Sequence, residues 1–277
     1  MGDPVVLLAL DGAEGALAAL SVARRLADLE KGSVRILHVT EQVGGGTAAA
    51  LGLQPADLRG ATLEVRDGVA ADAILAAAEQ DGARLIVMCA PAADVGRDDA
   101  VAALAVLRGA HCPVVLIDPT RTPAGWTPTR VLAPHDGSPA VSEALRPSAR
   151  LAREAGAEFL VLQVATGEER ALEAGSMAPP EYVDQVQHSW PVWSGEFLAR
   201  LASICPLEGL RVHLLVGHGK LAAETVRVAN EQSADLILLA WKSPWTAARA
   251  ATFKALLRDA PCPVIATRVP DRPVHIR

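Results

Sequence analysis

An apolar run that stops at Asp-Gly occurs twice, and this repetition limits the fold more than any other feature. The copies are Val6-Leu7-Leu8-Ala9-Leu10-Asp11-Gly12 and Val131-Leu132-Ala133-Pro134-His135-Asp136-Gly137-Ser138. An alanine-rich stretch of helical character follows each. Strand, tight turn, helix is how a parallel α/β unit opens. At an offset of 125 residues, Ala19-Leu20 falls on Ala144-Leu145, Arg25-Leu26-Ala27 on Arg150-Leu151-Ala152, and Val39 on Val164. Further on the offset is 151, carrying Val65 onto Val216 and Leu85-Ile86 onto Leu236-Ile237. At the end it is 150, carrying Cys112-Pro113-Val114 onto Cys262-Pro263-Val264. The chain therefore reads as a tandem duplication whose second half holds about 26 extra residues between Val164 and Val216.

Within each half, continuous apolar runs alternate with helical periodicity. Val5–Leu10, Ser33–Val39, Leu63–Val65, Leu85–Cys89 and Pro113–Ile117 read as strands, the more apolar of them suited to burial on both faces. Between them, Ala16–Leu29, Val69–Gln80 and Asp98–Leu107 read as helices. The expected domains are 1–120 and 129–277, with a Pro-, Thr- and Gly-rich linker over 121–128. Pro147 should break or restart the helix after Ser138. The extra segment offers a helix over about 181–204 carrying Tyr182, Trp190, Trp193 and Phe197. Gly44-Gly45-Gly46 follows the second strand, not the first, and reads as a mobile loop rather than a dinucleotide fingerprint.

The chain has 277 residues, 51% hydrophobic, which is ample for two cores. A formal charge of −6 argues against nucleic acid or anionic membrane as main partner. No apolar segment approaches the ~20 residues of a membrane helix, and no secretory leader is evident. A soluble cytoplasmic protein is expected. The four cysteines lie in or near apolar runs without CxxC spacing, as buried free thiols do.

In this order, and taken twice, these elements resemble the universal stress protein family. The residues that carry the resemblance are the strands ending at Asp11-Gly12 and Asp136-Gly137-Ser138, the second strands ending at Val39 and Val164, the fourth strands Leu85–Met88 and Leu236–Leu239, and the Cys-Pro-Val strands at Cys112 and Cys262. The resemblance implies two tandem open, mostly parallel five-stranded sheets flanked by helices. It also implies pairing of the terminal strands Val114–Ile117 and Val264–Thr267 as an internal pseudo-dimer. In nucleotide-binding members the first-strand Asp and second-strand Val hold the adenosine, and a Gly-x-x-Gly, nine-residue, Gly-Ser/Thr loop cradles the phosphates. Here those glycine positions fall at Cys89, Ala92 and Ala102-Ala103, and at Ala240, Ser243 and Phe253-Lys254. Pro91 and Pro244 also remove amides that could face an anion, and Trp241 and Trp245 bring indoles there.

The candidate nucleotide contacts are thus Asp11, Val39, Asp136, Gly137 and Val164, which would keep the adenosine side of a site whose phosphate side is degenerate. Asp11 and Asp136 could equally just turn the chain and cap the following helix, with Ser138 as N-cap and Pro139 at the first helical position. Gly217, Gly219 and Lys220, between a strand and a helix, are candidates for an anion site or an ordinary turn. His135, His213 and His218 lack the third ligand and spacing of a metal site. The tryptophans could fill the abandoned phosphate site, form an interface or line a new pocket. No GxSxG, HExxH or CxxC is present, so no enzyme is expected, a slow nucleotide hydrolase being the weaker alternative. The expectation is a regulatory or partner-binding role in stress response, with no required cofactor, acting through a protein partner or through self-association by the terminal strands. The alternative is a sensor of AMP or ATP, with magnesium only if ATP is bound.

Overall fold

The computed structural model describes residues 3–12, 14–40, 48–90, 100–166, 175–178, 189–242 and 245–269. It is an α/β protein of mostly parallel strands flanked by helices. Two compact units emerge, Met1–Thr127 with Leu257–Ala266, and Pro128–Leu256 with Thr267–Arg277.

In the first unit the chain runs β1 (Val5–Leu10), α1 (Ala16–Glu30), β2 (Ser33–Thr40), β3 (Ala61–Asp67), α2 (Ala70–Gln80), β4 (Leu85–Cys89), α3 (Ala100–Gly109) and β5 (Val114–Ile117). The strands lie in the order β3-β2-β1-β4-β5, all parallel. β1 and β4 are central and almost wholly apolar, because helices cover both their faces. On α1, Leu20, Ala23 and Ala27 are buried together, as the helical spacing predicts. All four residues of β5 are buried, and its outer edge is covered by β10 (Val264–Arg268). The first three residues of β10 run antiparallel to it, with Ile265 opposite Val115. An apolar edge left bare would be a site of aggregation.

The second unit contains β6 (Arg130–His135), α4 (Pro139–Ala144), α5 (Arg146–Ala155), β7 (Glu158–Ala165), α6 (Ser189–Ile204), β8 (Arg211–His218), α7 (Leu221–Glu231), β9 (Leu236–Trp241) and α8 (Ala247–Asp259). Its parallel strands lie in the order β9-β6-β7-β8. The Pro147 break is real. α4 ends at Ala144, and α5 starts again at Arg146 with the proline in its first turn, where no amide is needed. The helix expected over 181–204 is α6 from Ser189 to Ile204; positions 181–188 lie outside the described residues. So do Gly44-Gly45-Gly46, Pro91, Ala92, Tyr182, Ser243 and Pro244.

Two segments read as irregular are firmly held. Leu51 and Leu53 are buried in the β2–β3 connection, and the Arg24 guanidinium donates to the carbonyls of Asp57 and Arg59. In the segment read as a linker, Trp126 is 4% exposed and Thr122 is also buried. Arg25 Nε donates to Thr127 Oγ1 at 2.6 Å, and Arg121 Nη1 donates to the carbonyls of Arg258 and Ala260. Up to Thr127 the segment is thus packed onto the first unit rather than hanging as a tether. Its apolar content is one large residue, too little to show as periodicity but enough to anchor it. Trp126→Ala should lower the unfolding free energy by about 3 kcal/mol, measured by urea titration at pH 7.5; a loss under about 1 kcal/mol would show that the indole contributes little.

Candidate functional site

In an open parallel sheet, ligands gather at the carboxyl ends of strands where the strand order reverses. In the second unit that place lies between β6 and β9, since β6 leads to β7 and β8 on one side and has β9 on the other. Asp136 follows β6 and Lys242 follows β9, so the topology sets a carboxylate and an ammonium on the two lips of the crevice.

They meet directly. Lys242 Nζ donates to Asp136 Oδ2 at 2.8 Å and to Ser138 Oγ at 3.1 Å. Asp136 Oδ1 accepts from the Ser138 amide at 2.9 Å and from Ser138 Oγ at 2.6 Å. Burial pushes the Asp136 carboxyl up, but the bonds from Lys242 and Ser138 outweigh it and hold the group below the usual carboxylate range. Ser138 is also the N-cap of α4, accepting from the Val141 amide at 3.3 Å, with Pro139 behind it. The capping expectation and the placement of Asp136 on the crevice are therefore both met by one turn.

Gly137 has φ +81°, and a side chain there would overlap the Met177 carbonyl oxygen. Met177 belongs to the extra segment. Its amide donates to the Gly137 carbonyl at 3.1 Å, and its carbonyl accepts from Gln163 Nε2 at 2.8 Å. A short strap, Gly175–Ala178, thus lies over the ends of β6 and β7. Gln163 is 1% exposed, and its Oε1 is a buried acceptor without a partner. Val164, next to it, is half-buried and stands opposite Gly217 on β8.

Beneath the strap, His135 is buried and its tautomer is fixed. Nδ1 accepts from the Gly137 amide at 2.9 Å, so Nε2 carries the proton and donates to Ser142 Oγ at 3.0 Å. Ser142 in turn donates to the Ser138 carbonyl at 3.2 Å. Burial pulls the imidazole pKa down to about 4, with Asp136 opposing and Lys242 assisting. The ring is neutral at physiological pH and packs edge-on against Phe197 of α6, centroids 5.2 Å apart. Trp193 stacks on Phe197 at 5.3 Å and Trp190 on Trp193 at 5.4 Å, while Trp193 Nε1 donates to the Ala178 carbonyl at 2.9 Å.

The other tryptophans fill the mouth of β9. Trp241 is buried and meets Trp245 edge-on at 5.1 Å, with the Arg268 guanidinium 5.6 Å from its ring centre; Trp245 also contacts Phe253.

The Gly217–Lys220 turn carries an anion of its own. Glu224, in the first turn of α7, is buried against Gly217, where any side chain would overlap it, and Glu224 Oε1 accepts from the His218 amide at 3.2 Å. Arg227 donates to both carboxylate oxygens and, with burial opposing, holds the group below its usual range. Gly219, at φ +106°, makes the turn, and Lys220 is exposed at the α7 N-cap. An external anion would have to displace Glu224 from an amide already committed to it.

The first unit places its candidates differently. Asp11 is exposed after β1 and Val39 is half-buried on β2. Next to Val39, His38 Nδ1 donates to the Leu10 carbonyl at 2.9 Å. Pro119 sits so close over Gly15, φ +73°, that a side chain there would overlap its ring. Cys89 lies beside them. Burial first, then Asp11, Asp118 and Glu14, push its thiol up to about 12, so it remains protonated and a poor nucleophile. Among the described residues no three His, Cys, Asp or Glu converge to hold a metal ion, and no helix is long and apolar enough to cross a membrane.

The sequence pointed to Asp136 and Gly137, which the fold sets at the crevice between β6 and β9, and to Val164, which lies near the end of the neighbouring strand β7. It missed Lys242, Met177, Gln163, Ser142 and Glu224, the groups that occupy the candidates. Only Ser142 had a local signal, as the residue four positions on from the Ser138 cap.

The parallel strands, their order and the helices beside them define the class of α/β proteins with a mostly parallel sheet flanked by helices. Within it, residues 128–268 match the Universal stress protein family, and the chain belongs to that family. No curated protein matches the sequence. Among solved structures, a universal stress protein from Archaeoglobus fulgidus DSM 4304 aligns with TM-score 0.62 at 16% identity, over 98% of both chains. A putative universal stress protein from Pseudomonas aeruginosa UCBPP-PA14 aligns with TM-score 0.65 at 18% identity, over 96% of this chain and 93% of that one. At such identities the likeness concerns the fold.

The His135 network makes stability depend on pH. Its folded pKa, about 4, lies below the usual 6.5, so between these values the unfolded chain holds the extra proton. Stability is therefore lost as pH falls through this window. From pH 7.5 to 5 the histidine should cost about 2 kcal/mol. His135→Asn should remove most of that difference in urea titrations at the two pH values; an equal pH dependence in variant and wild type would refute the assignment.

Proposed function

We propose that the protein is a non-catalytic universal-stress-type protein that acts in stress response by binding a protein partner, with the crevice of its second unit filled by its own chain. The observation that carries this reading is the second-unit crevice. Asp136, the residue that would hold an adenosine by family resemblance, is ion-paired to Lys242, and the backbone of Met177 is seated on Gly137. A nucleoside entering there must break the ion pair and lift the strap. The degenerate glycine positions support the same reading, since Cys89, Ala240 and Phe253 stand where amides would need room for phosphates. No cofactor is required in this account, and the protonated Cys89 and internally bonded His135 offer no activated nucleophile or base.

The reading includes a tandem organisation. The order β3-β2-β1-β4 in the first unit has its counterpart in β8-β7-β6-β9 of the second, which supports a second, diverged copy of the same domain at 1–120 beside the one at 129–277. The β5–β10 pairing supports an internal pseudo-dimer, with the terminal strands satisfied within one chain and not by a second copy.

A second reading, an AMP or ATP sensor, draws on one observation. Asp11 is exposed at the end of β1 and Val39 is only half-buried, so the adenosine side of the first unit is less completely occupied. Thermal-shift titration with AMP and ATP, with and without magnesium, separates the two. Binding at 100 times the dissociation constant stabilises by ~2.7 kcal/mol, a rise of roughly 5–10 °C in Tm. The partner-binding reading predicts no rise with either nucleotide. A rise abolished by Asp11→Ala would establish the sensor in the first unit, and one abolished by Asp136→Ala would overturn the filled-crevice account.

A further inference from the structure

The extra segment that supplies the strap also builds a cavity of about 280 Å³ between the end of β6, α4 and α6. We propose that this cavity is a binding site for a small carboxylic acid with an apolar tail. The inference goes beyond the partner-binding reading and does not depend on it.

Size sets the first limit. A dry apolar cavity of about 150 Å³ admits benzene, and ordinary ligand pockets begin near ~300 Å³. This cavity therefore takes a molecule of roughly ten non-hydrogen atoms, too small for a nucleotide. Its walls set the second. Pro139, Met177, Phe197, Leu201 and Ile204 present carbon, and Phe197 is held rigid by its stack on Trp193. His135 and Ser142 also line it, but their polar atoms are committed. Nδ1 takes the Gly137 amide, Nε2 donates to Ser142, and Ser142 donates to the Ser138 carbonyl. The inner end accordingly offers an uncharged imidazole face rather than a hydrogen-bond donor, which suits a hydrocarbon tail.

Charge sets the third limit. Arg200 is the one charged residue among the described lining residues, and it lies at the rim with its side chain 47% exposed. Its Nη2 donates to Glu196 at 2.6 Å, and its Nη1 reaches the Gly175 carbonyl at only 3.4 Å. A guanidinium has five N–H donors, so the fork keeps capacity for a second carboxylate alongside Glu196. An apolar chamber with an arginine at its mouth fits an alkyl or aryl monocarboxylate, tail inward and carboxylate on Arg200. The site depends on α6, which has no counterpart among the described residues of the first unit.

Isothermal titration with octanoate and with 1-octanol tests this on the full chain. Octanoate should bind saturably at one site per chain, and octanol about tenfold more weakly, since it lacks the charge-assisted bond. Arg200→Gln should bring octanoate down to the affinity of octanol. Ser203 is exposed at the mouth, so Ser203→Trp should block both ligands while leaving Tm unchanged. The proposal is overturned if octanoate gives no saturable heat up to millimolar concentration. It is also overturned if octanol binds as tightly as octanoate, or if the folded Ser203→Trp protein retains wild-type affinity.

Discussion

The ion pair between Asp136 and Lys242 closes the point at which a parallel sheet of this kind would be open. Strand order alone creates that point, because β6 has successive strands on one side and β9 on the other. Both partners are partly exposed, at 38% and 21% of their side chains, so the pair contributes at most about 1 kcal/mol to stability. Its consequence is positional. With Asp136 held by Lys242 and Ser138, the turn at Gly137 is fixed, its amide points at His135, and its carbonyl receives the Met177 amide. Strap, buried imidazole and α4 cap share that one turn.

His135 links this surface turn to the core. A neutral imidazole can be buried because each nitrogen has a single defined partner, and the edge of Phe197 completes its surroundings. The extra helix α6 is thereby tied to β6 through an aromatic contact and to the strap through Trp193. An insertion that could have been a loose appendage has become a wall of the second unit. In the first unit Pro119 sits close over Gly15 at the start of α1.

The alternation of strands and helices was legible because buried parallel strands are continuous apolar runs and the helices keep a 3.6-residue period. Pro147 announced its own break. The candidate crevice was legible in part as a place: Asp136 and Gly137 lie at the end of β6, and Val164 near the end of the neighbouring β7. What holds them was not, for three physical reasons. Lys242 meets Asp136 across more than a hundred residues of chain, and one lysine after a strand carries no sign of its partner. Met177 sits in a segment without periodicity, held through its backbone, which any residue could supply. Glu224 sits in the first turn of α7 and folds back over Gly217, a contact set by the tight strand–helix turn rather than by any motif spacing. Trp126 was hidden in a stretch whose composition spoke only of turns.

The central claim is that the chain itself occupies its second-unit crevice, and the Met177 amide reports on this directly. Seated on the Gly137 carbonyl, it should exchange its hydrogen for deuterium as slowly as the amides of β6, and excess AMP should leave that rate unchanged. Exchange at the rate of an exposed loop, or a marked acceleration by AMP, would mean that the strap is not the resident of the site.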